Sequence, residues 1–291
     1  MNRHPWTISR ELKRNSGLRG YRPKQAQHLA LARRKAKVTR RISEELWHDI
    51  EGLIREEWSP EQIVGRLKRE RDVLISHEWI YQYVYADKHK GGDLHLYLRC
   101  RKKRRKRYGS YDRRGQIKGR VSIERRPQVV ERRSRLGDWE GDTMSGGVRS
   151  GGLVTVVDRK SRYTRLARVA RKGAPEVRAA LRQCLGGMAA KTLTLDNGTE
   201  FTDHSGIRSD TGARMYFAHP YCSWERGTNE NTNGLVRQYF SKGTDLASLS
   251  DAEVEAVEAK LNHRPRKSLD YRTPHEVYFG TNSLLTVALT T

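Results

Sequence analysis

The stretch Leu153-Val154-Thr155-Val156-Val157 limits the fold more than any other part of the chain. Five apolar or β-branched residues in a row, bounded by turn residues, fit a strand buried on both faces. Such a strand needs a neighbour at each edge and a covering layer on each side. Asp138 to Met144 reads as one neighbour. Tyr163 to Val169 reads as the other, after the turn Asp158-Arg159-Lys160-Ser161. Pro175 then opens a helix to about Leu185, with Val177, Ala180, Leu181 and Leu185 on one face. Lys191 to Asp196 and Met215 to Ala218 read as shorter strands. Ser250-Asp251-Ala252-Glu253 and Thr273-Pro274-His275-Glu276 are capping boxes that start helices running to Leu261 and to Gly280. Three meandering strands, a helix, a fourth strand and a mixed remainder predict an α/β fold, a sheet layered by helices.

The first half has a different texture. Residues 1–135 hold 37 Lys and Arg against 16 Asp and Glu, whereas 136–291 hold 21 against 18. A net charge of +24 predicts a polyanionic partner, and its asymmetry puts the nucleic-acid grip in the first half. Helical spacing appears at Ile8 and Leu12, after Pro5, and again among Ala26, Leu29, Ala30 and Ala32. The first of these looks like the second helix of a helix-turn-helix with no first helix before it. It is expected to be a truncated remnant or to dock elsewhere. From residue 43 three short helices follow. Leu46, Ile50, Leu53 and Ile54 share a face; Ser59-Pro60-Glu61-Gln62 caps the next; Ser76 caps a third, with Ile80, Tyr83 and Val84 inward. Their spacing predicts a helix-turn-helix whose last helix enters a major groove. Arg99 to Arg107 is a run of like charge that cannot pack in a core. Arg101, Lys102, Lys103, Arg104 and Arg105 are therefore expected along phosphates.

The expected organisation is a helix-turn-helix remnant and basic helix at 1–40, a helix-turn-helix DNA-binding domain at 41–95, a basic linker at 96–135, a catalytic domain at 136–282 and a tail at 283–291. No run of 18 apolar residues exists, and the basic start lacks the apolar stretch of a signal peptide. Cys100, Cys184 and Cys222 form neither a disulfide framework nor a metal pair. A membrane is not an expected partner, and a reducing cytoplasm, at the nucleoid, is the expected location.

Three acidic stretches carry the chemistry: Asp138-Trp139-Glu140-Gly141-Asp142, Leu195-Asp196-Asn197-Gly198 and Trp224-Glu225-Arg226-Gly227-Thr228-Asn229-Glu230. Asp142 shares its strand face with Glu140. Thr228 is expected to cap a helix to about Phe240, with Glu230 in a first turn that favours an ionised carboxylate. Asn233, Gly234 and Arg237 share that face, and Arg237 is a basic residue where a phosphate can sit. Carboxylates sharing a site resist ionisation unless a cation offsets them, and magnesium prefers hard oxygen ligands. A pair of such ions can activate a water or a 3′-hydroxyl and stabilise a leaving oxygen. Each stretch is ambiguous alone. Asp196-Asn197-Gly198 is equally a hairpin turn, and Glu200, Asp158 and Glu225 are rival ligands.

Trp139-Glu140-Gly141-Asp142, Thr194-Leu195-Asp196-Asn197-Gly198 and Tyr216 through Asn231 together resemble the DDE transposases of the insertion-sequence-30 type, and more distantly retroviral integrase cores. Asn262-His263-Arg264-Pro265-Arg266-Lys267, Tyr271-Arg272-Thr273-Pro274, Ser59-Pro60-Glu61-Gln62 and Ile75-Ser76-His77-Glu78 extend the resemblance over nearly the whole chain. It implies an RNase H-like core, and a magnesium-dependent activity, with manganese as an alternative, that cuts and rejoins transposon ends. By motif position Asp142, Asp196 and Glu230 are the catalytic and metal-binding carboxylates. Arg264 joins the expected DNA contacts, and joining two ends to one target implies a homo-oligomer on DNA. A transposase-derived repressor without catalysis, and a nuclease that cuts without joining, are the rival readings.

Overall fold

A computed structural model describes residues 4–37, 42–99, 117, 119–146, 151–220 and 222–281. The chain divides into two compact units, Met1–Ile50 and Glu51–Thr291. In the first, α1 (Pro5–Asn15) and α2 (Pro23–Lys37) flank the two-residue strands β1 (Ser16–Gly17) and β2 (Gly20–Tyr21). Arg33 donates to the Arg14 carbonyl (2.8 Å) and to the Asn15 side chain, tying α2 to the end of α1. Trp6, Ile8 and Leu12 stay exposed, so α1 does not bury the apolar residues that define it. The run Arg101 to Arg105 lies outside the described residues.

The three expected helices after residue 43 are α3 (Glu44–Arg55), α4 (Pro60–Arg71) and α5 (His77–His89). Both bonds of the α4 capping box form: Gln62 N–H donates to Ser59 Oγ (3.3 Å) and Ser59 N–H to Gln62 Oε1 (2.9 Å). Leu53, Ile54, Ile63, Leu67, Ile80 and Val84 are buried. What the sequence does not foretell is where α4 is bolted. Arg66, almost fully buried, makes a two-pronged pair with Glu276 (2.8 and 2.5 Å) and also pairs with Glu70. Gln62 donates to the Pro265 carbonyl (2.8 Å) and Lys267 to Glu61 (2.6 Å). A side chain at position 65 would put a Cβ 2.2 Å from the Tyr271 ring, so Gly65 is what lets α4 lie against this segment. Within the second unit, α4 and the C-terminal segment are thus packed together.

Residues 119–135, part of the expected basic linker at 96–135, also pack. Ser122 bridges to Phe217, Ile123 and Val130 are buried, and α6 (Gln128–Glu131) follows. Arg126 is buried, donating to Thr194 Oγ1 (2.9 Å) and to Glu131. An arginine count reads such a segment as solvated. Two apolar residues and a partnered guanidinium are enough to fold it down.

The sheet strands are β3 (Asp138–Ser145), β4 (Gly152–Asp158), β5 (Thr164–Val169), then, after α7 (Ala174–Leu185), β6 (Thr192–Leu195) and, after α8 (His204–Thr211), β7 (Arg214–Phe217). Their spatial order is β5-β4-β3-β6-β7. The β3–β4 and β4–β5 pairs are antiparallel, and β3–β6 and β6–β7 are parallel. This is the RNase H-like arrangement. The expected strand Leu153 to Val157 is β4, buried along its whole length. One face of the sheet packs Trp139, Val154, Val156, Leu193 and Leu195 against α7 and α8, through Leu181 and Ile207. The other packs Met144, Leu153 and Leu166 against α9 (Gly227–Val236) and α10 (Asp251–Asn262). The last described helix is α11 (Pro274–Phe279). Among the described residues no helix is long and apolar enough to cross a membrane.

Removing one partner of a buried ion pair strands the other. Glu276→Leu is therefore expected to cost about 3 kcal/mol of unfolding free energy. Arg69→Ala, which breaks the exposed pair with Asp270, is expected to cost less than about 1 kcal/mol. Urea titration of the two variants checks the contrast.

Candidate active site

The parallel register of β3 and β6 sets Asp138 opposite Thr192, Trp139 opposite Leu193 and Glu140 opposite Thr194. Two residues further along, the same register brings Asp142 level with Asp196, and alternation puts both on the face of Glu140. Trp139, Leu193 and Leu195 face the opposite way, into the core. Gly141 precedes Asp142 in β3. A Cβ there would fall 2.7 Å from Leu195 Cδ2, so a side chain would have to displace the Leu195 side chain in the core.

Each aspartate is oriented by donors. Thr143 N–H donates to Asp142 Oδ1 (2.9 Å) and Asn233 Nδ2 to Asp142 Oδ2 (2.8 Å). Gly198 N–H donates to Asp196 Oδ1 (2.9 Å). The Asp196-Asn197-Gly198 turn is not a hairpin: β6 and β7 run parallel, with α8 between them. Between the aspartates lies one guanidinium. Arg226 Nη1 is 3.6 Å from Asp142 Oδ1, and Nη2 is 3.4 Å from Asp196 Oδ2. Burial pushes the Asp142 carboxyl above the ordinary aspartate range; the nearby Asp196 charge adds to this and Arg226 opposes it.

The helix that carries Glu230 differs from expectation. It runs from Gly227 to Val236 rather than from Thr228 to Phe240, and no side chain caps it. Thr228 lies inside the first turn and accepts from Arg162 (2.7 Å). The anchor is Asn229. Its N–H donates to Glu140 Oε2 (2.9 Å), and its Nδ2 to the carbonyls of Glu140 (3.0 Å) and Thr155 (3.2 Å). Arg159 holds the other Glu140 oxygen (2.6 Å). One turn on, Asn233 accepts from Thr155 Oγ1 (2.8 Å) while donating to Asp142. Glu230, next to Asn229, is exposed in the first turn. The structure therefore brings Asp142 and Asp196 together, while Glu230 is exposed in the first turn of α9 and touches neither. Among the described residues no trio of His, Cys, Asp or Glu is arranged to hold a metal ion.

The rival carboxylates have other partners. Asp158 is buried and organises its own turn, accepting from the N–H groups of Gly137, Lys160 and Ser161. Glu225 accepts from the His219 N–H (2.8 Å) and meets its ring (2.8 Å). Glu200 accepts from Thr143 Oγ1 (2.5 Å) and pairs with Lys172 (3.2 Å). Two expected DNA contacts, half-buried Arg237 and buried Arg264, have partners within the chain. Arg237 donates to the Ser145 carbonyl (2.6 Å), and Arg264, 3% exposed, donates to the Tyr239 hydroxyl (2.6 Å) and to Glu57 (3.3 Å). Sequence reasoning overlooked Arg226, Asn229 and the Glu140–Arg159 pair. Arg226 stands in the third acidic stretch, but a search for anionic ligands passes over a cation.

No protein-family model matches the chain. It is 40% identical over 280 residues to the transposase for insertion sequence element IS4351 of Bacteroides fragilis, covering 94% of this chain and 85% of that protein. It is 38% identical over 293 residues to the transposase for insertion sequence element IS1086 of Cupriavidus metallidurans, covering 95% and 86%. It is also 38% identical over 295 residues to transposase InsI for insertion sequence element IS30A of Escherichia coli, covering 95% and 76%.

The raised Asp142 pKa has a signed consequence. Between the ordinary aspartate pKa and the raised one, the folded chain binds more protons than the unfolded chain. Stability therefore falls as pH rises through that window, and the loss persists above it. In EDTA, Asp142→Asn is expected to melt above wild type at pH 7, with the gap closing below about pH 4. A variant that melts below wild type at both pH values would contradict this.

Proposed function

The chain belongs to the insertion-sequence transposases of the IS30 type, enzymes of DNA cleavage and strand transfer, and from that premise we propose that Asp142, Asp196 and Glu230 are its catalytic carboxylates. The observation that carries this reading is the pair Asp142 and Asp196, level on adjacent parallel strands and sharing one cationic group. In the proposed reaction water attacks a phosphodiester at the element end and the 3′-oxygen leaves. The freed 3′-hydroxyl then attacks a phosphodiester of target DNA, displacing the 3′-oxygen there.

The pair Asp142 and Asp196 suits a divalent cation. Its ligands are hard carboxylate oxygens, and the two aspartates already accommodate positive charge between them. Magnesium, or manganese in its place, when bound at Asp142, Asp196 and Glu230 as one or two ions, supplies nucleophile activation and stabilisation of the leaving oxygen. The chain's own residues supply orientation. Asn233 and the Thr143 N–H fix the Asp142 carboxylate, and the Gly198 N–H fixes Asp196. Asn229, gripped by Glu140, holds the α9 turn from which Glu230 projects. Thr143, through Glu200, ties the strand end beside Asp142 to the loop after Asp196.

DNA is the partner of a transposase. We assign the first-half helices and the basic run Arg101 to Arg105 to DNA contact, and a homo-oligomer on DNA to the joining step. The +24 charge supports a cytoplasmic, nucleoid-associated life.

In a magnesium strand-transfer assay, Asp142→Asn, Asp196→Asn and Glu230→Gln are each expected to lower joined product at least about a hundredfold, or about 2.7 kcal/mol of barrier. DNA binding should survive in all three. Joined product at wild-type level from any of them would remove that residue from the catalytic set. Cut product without joining, in wild type, would mark a nuclease instead. DNA affinity should fall linearly in log–log with salt; an affinity insensitive to salt would contradict the charge argument.

A further inference from the structure

Arg226 is in an unusual place for an arginine of a DNA enzyme. The residue is 9% exposed, and its guanidinium lies between Asp142 and Asp196. Its distances to the carboxylates, 3.4 and 3.6 Å, are those of ion pairs without hydrogen-bond geometry. Among the described residues its one hydrogen bond is from Nη1 to the Gly141 carbonyl (3.1 Å), and its buried Nε has no partner there. The other oxygen of each aspartate is taken by a fixed donor, Asn233 on Asp142 Oδ2 and the Gly198 N–H on Asp196 Oδ1, while Asp142 Oδ1 also accepts from the Thr143 N–H (2.9 Å). Arg226 thus faces the oxygens that a cation shared by the two aspartates would use.

We propose that Arg226 is a resident counter-ion that competes with a divalent cation for Asp142 Oδ1 and Asp196 Oδ2. This rests on the proposed carboxylate site. Two adjacent carboxylates repel, and the guanidinium keeps them together on folding. It is held mainly by charge, so an ion of twice the charge, with direct oxygen bonds, displaces it. Arg226 is also the residue immediately before α9, four positions ahead of Glu230. A guanidinium leaving the cleft moves the backbone that presents the third carboxylate. Arg226 is accordingly a positioning residue, and occupancy of the aspartate pair and placement of Glu230 are coupled through it.

Manganese binding to the full chain without DNA, followed by the electron paramagnetic resonance of free Mn²⁺, tests this apart from activity. Arg226→Gln keeps a donor for the Gly141 carbonyl and removes the charge. Its Mn²⁺ dissociation constant should fall about tenfold, equivalent to about 1.4 kcal/mol. Arg226→Lys should lie between it and wild type. Asp142→Asn, run beside them, should weaken binding. If Asp142→Asn weakens binding while Arg226→Gln leaves it unchanged or weaker, the competition is refuted and the carboxylate site stands. If Asp142→Asn changes nothing, the site itself is wrong. A thermal melt in EDTA reports whether Arg226→Gln folds. Should it not, arginine ¹⁵N NMR on wild type decides: the Arg226 Nε signal moves on titration with Mg²⁺, and an unmoved signal overturns the proposal.

Discussion

Two like charges on neighbouring strands are the constraint from which the rest of this unit follows. The β3–β6 register puts Asp142 and Asp196 level, and strands pair at about 4.8 Å. Nothing in a sheet favours that juxtaposition. It is tolerated because Arg226 lies between the carboxylates, because Asn233 and the Gly198 N–H take up the oxygens it does not face, and because the Thr143 N–H also donates to Asp142 Oδ1. Repulsion offset in this way leaves a site that a stronger cation can occupy with a net gain, which is the electrostatic basis of the proposed chemistry.

A second layer of charge lies along the same strand face and has a different task. Glu140, two residues before Asp142, is fully buried between Arg159 and the Asn229 N–H. Arg159 also reaches Glu131, which pairs with Arg126. A buried pair of this kind adds little net stability, but breaking it is costly, so it fixes geometry rather than supplying energy. Here the geometry fixed is the start of α9 over β3 and β4. Many arginines in this basic chain are therefore structural. Arg66, Arg126, Arg159, Arg226 and Arg264 are all buried and partnered, and the net charge overstates what faces DNA.

The sheet was legible because its strands carry period-two or continuous apolar patterns. β3, β4 and β5 match their expected spans to within about a residue at each end. The three capping boxes were legible because the Ser or Thr and the Glu or Gln three residues later satisfy one another locally. α8 was not, since Ile207 is its only buried residue and no apolar stripe announces it. Nor was the true start of α9, because its anchor, Asn229 on Glu140, joins residues 89 positions apart. Of the candidate site, the acidic residues were readable as motifs, and the pairing of Asp142 with Asp196 follows from strand register. Arg237 and Arg264 were read as phosphate contacts from charge alone. Their engagement by backbone carbonyls and by Tyr239 depends on tertiary packing that no local pattern encodes.

The role of Asp142 and Asp196 is decided most directly by where a divalent ion binds. Anomalous scattering from crystals of the full chain soaked in Mn²⁺ would locate it. The account predicts a peak about 2.1 Å from an oxygen of Asp142 and an oxygen of Asp196. A well-occupied peak elsewhere, with the two aspartates still bridged only by Arg226, would contradict it.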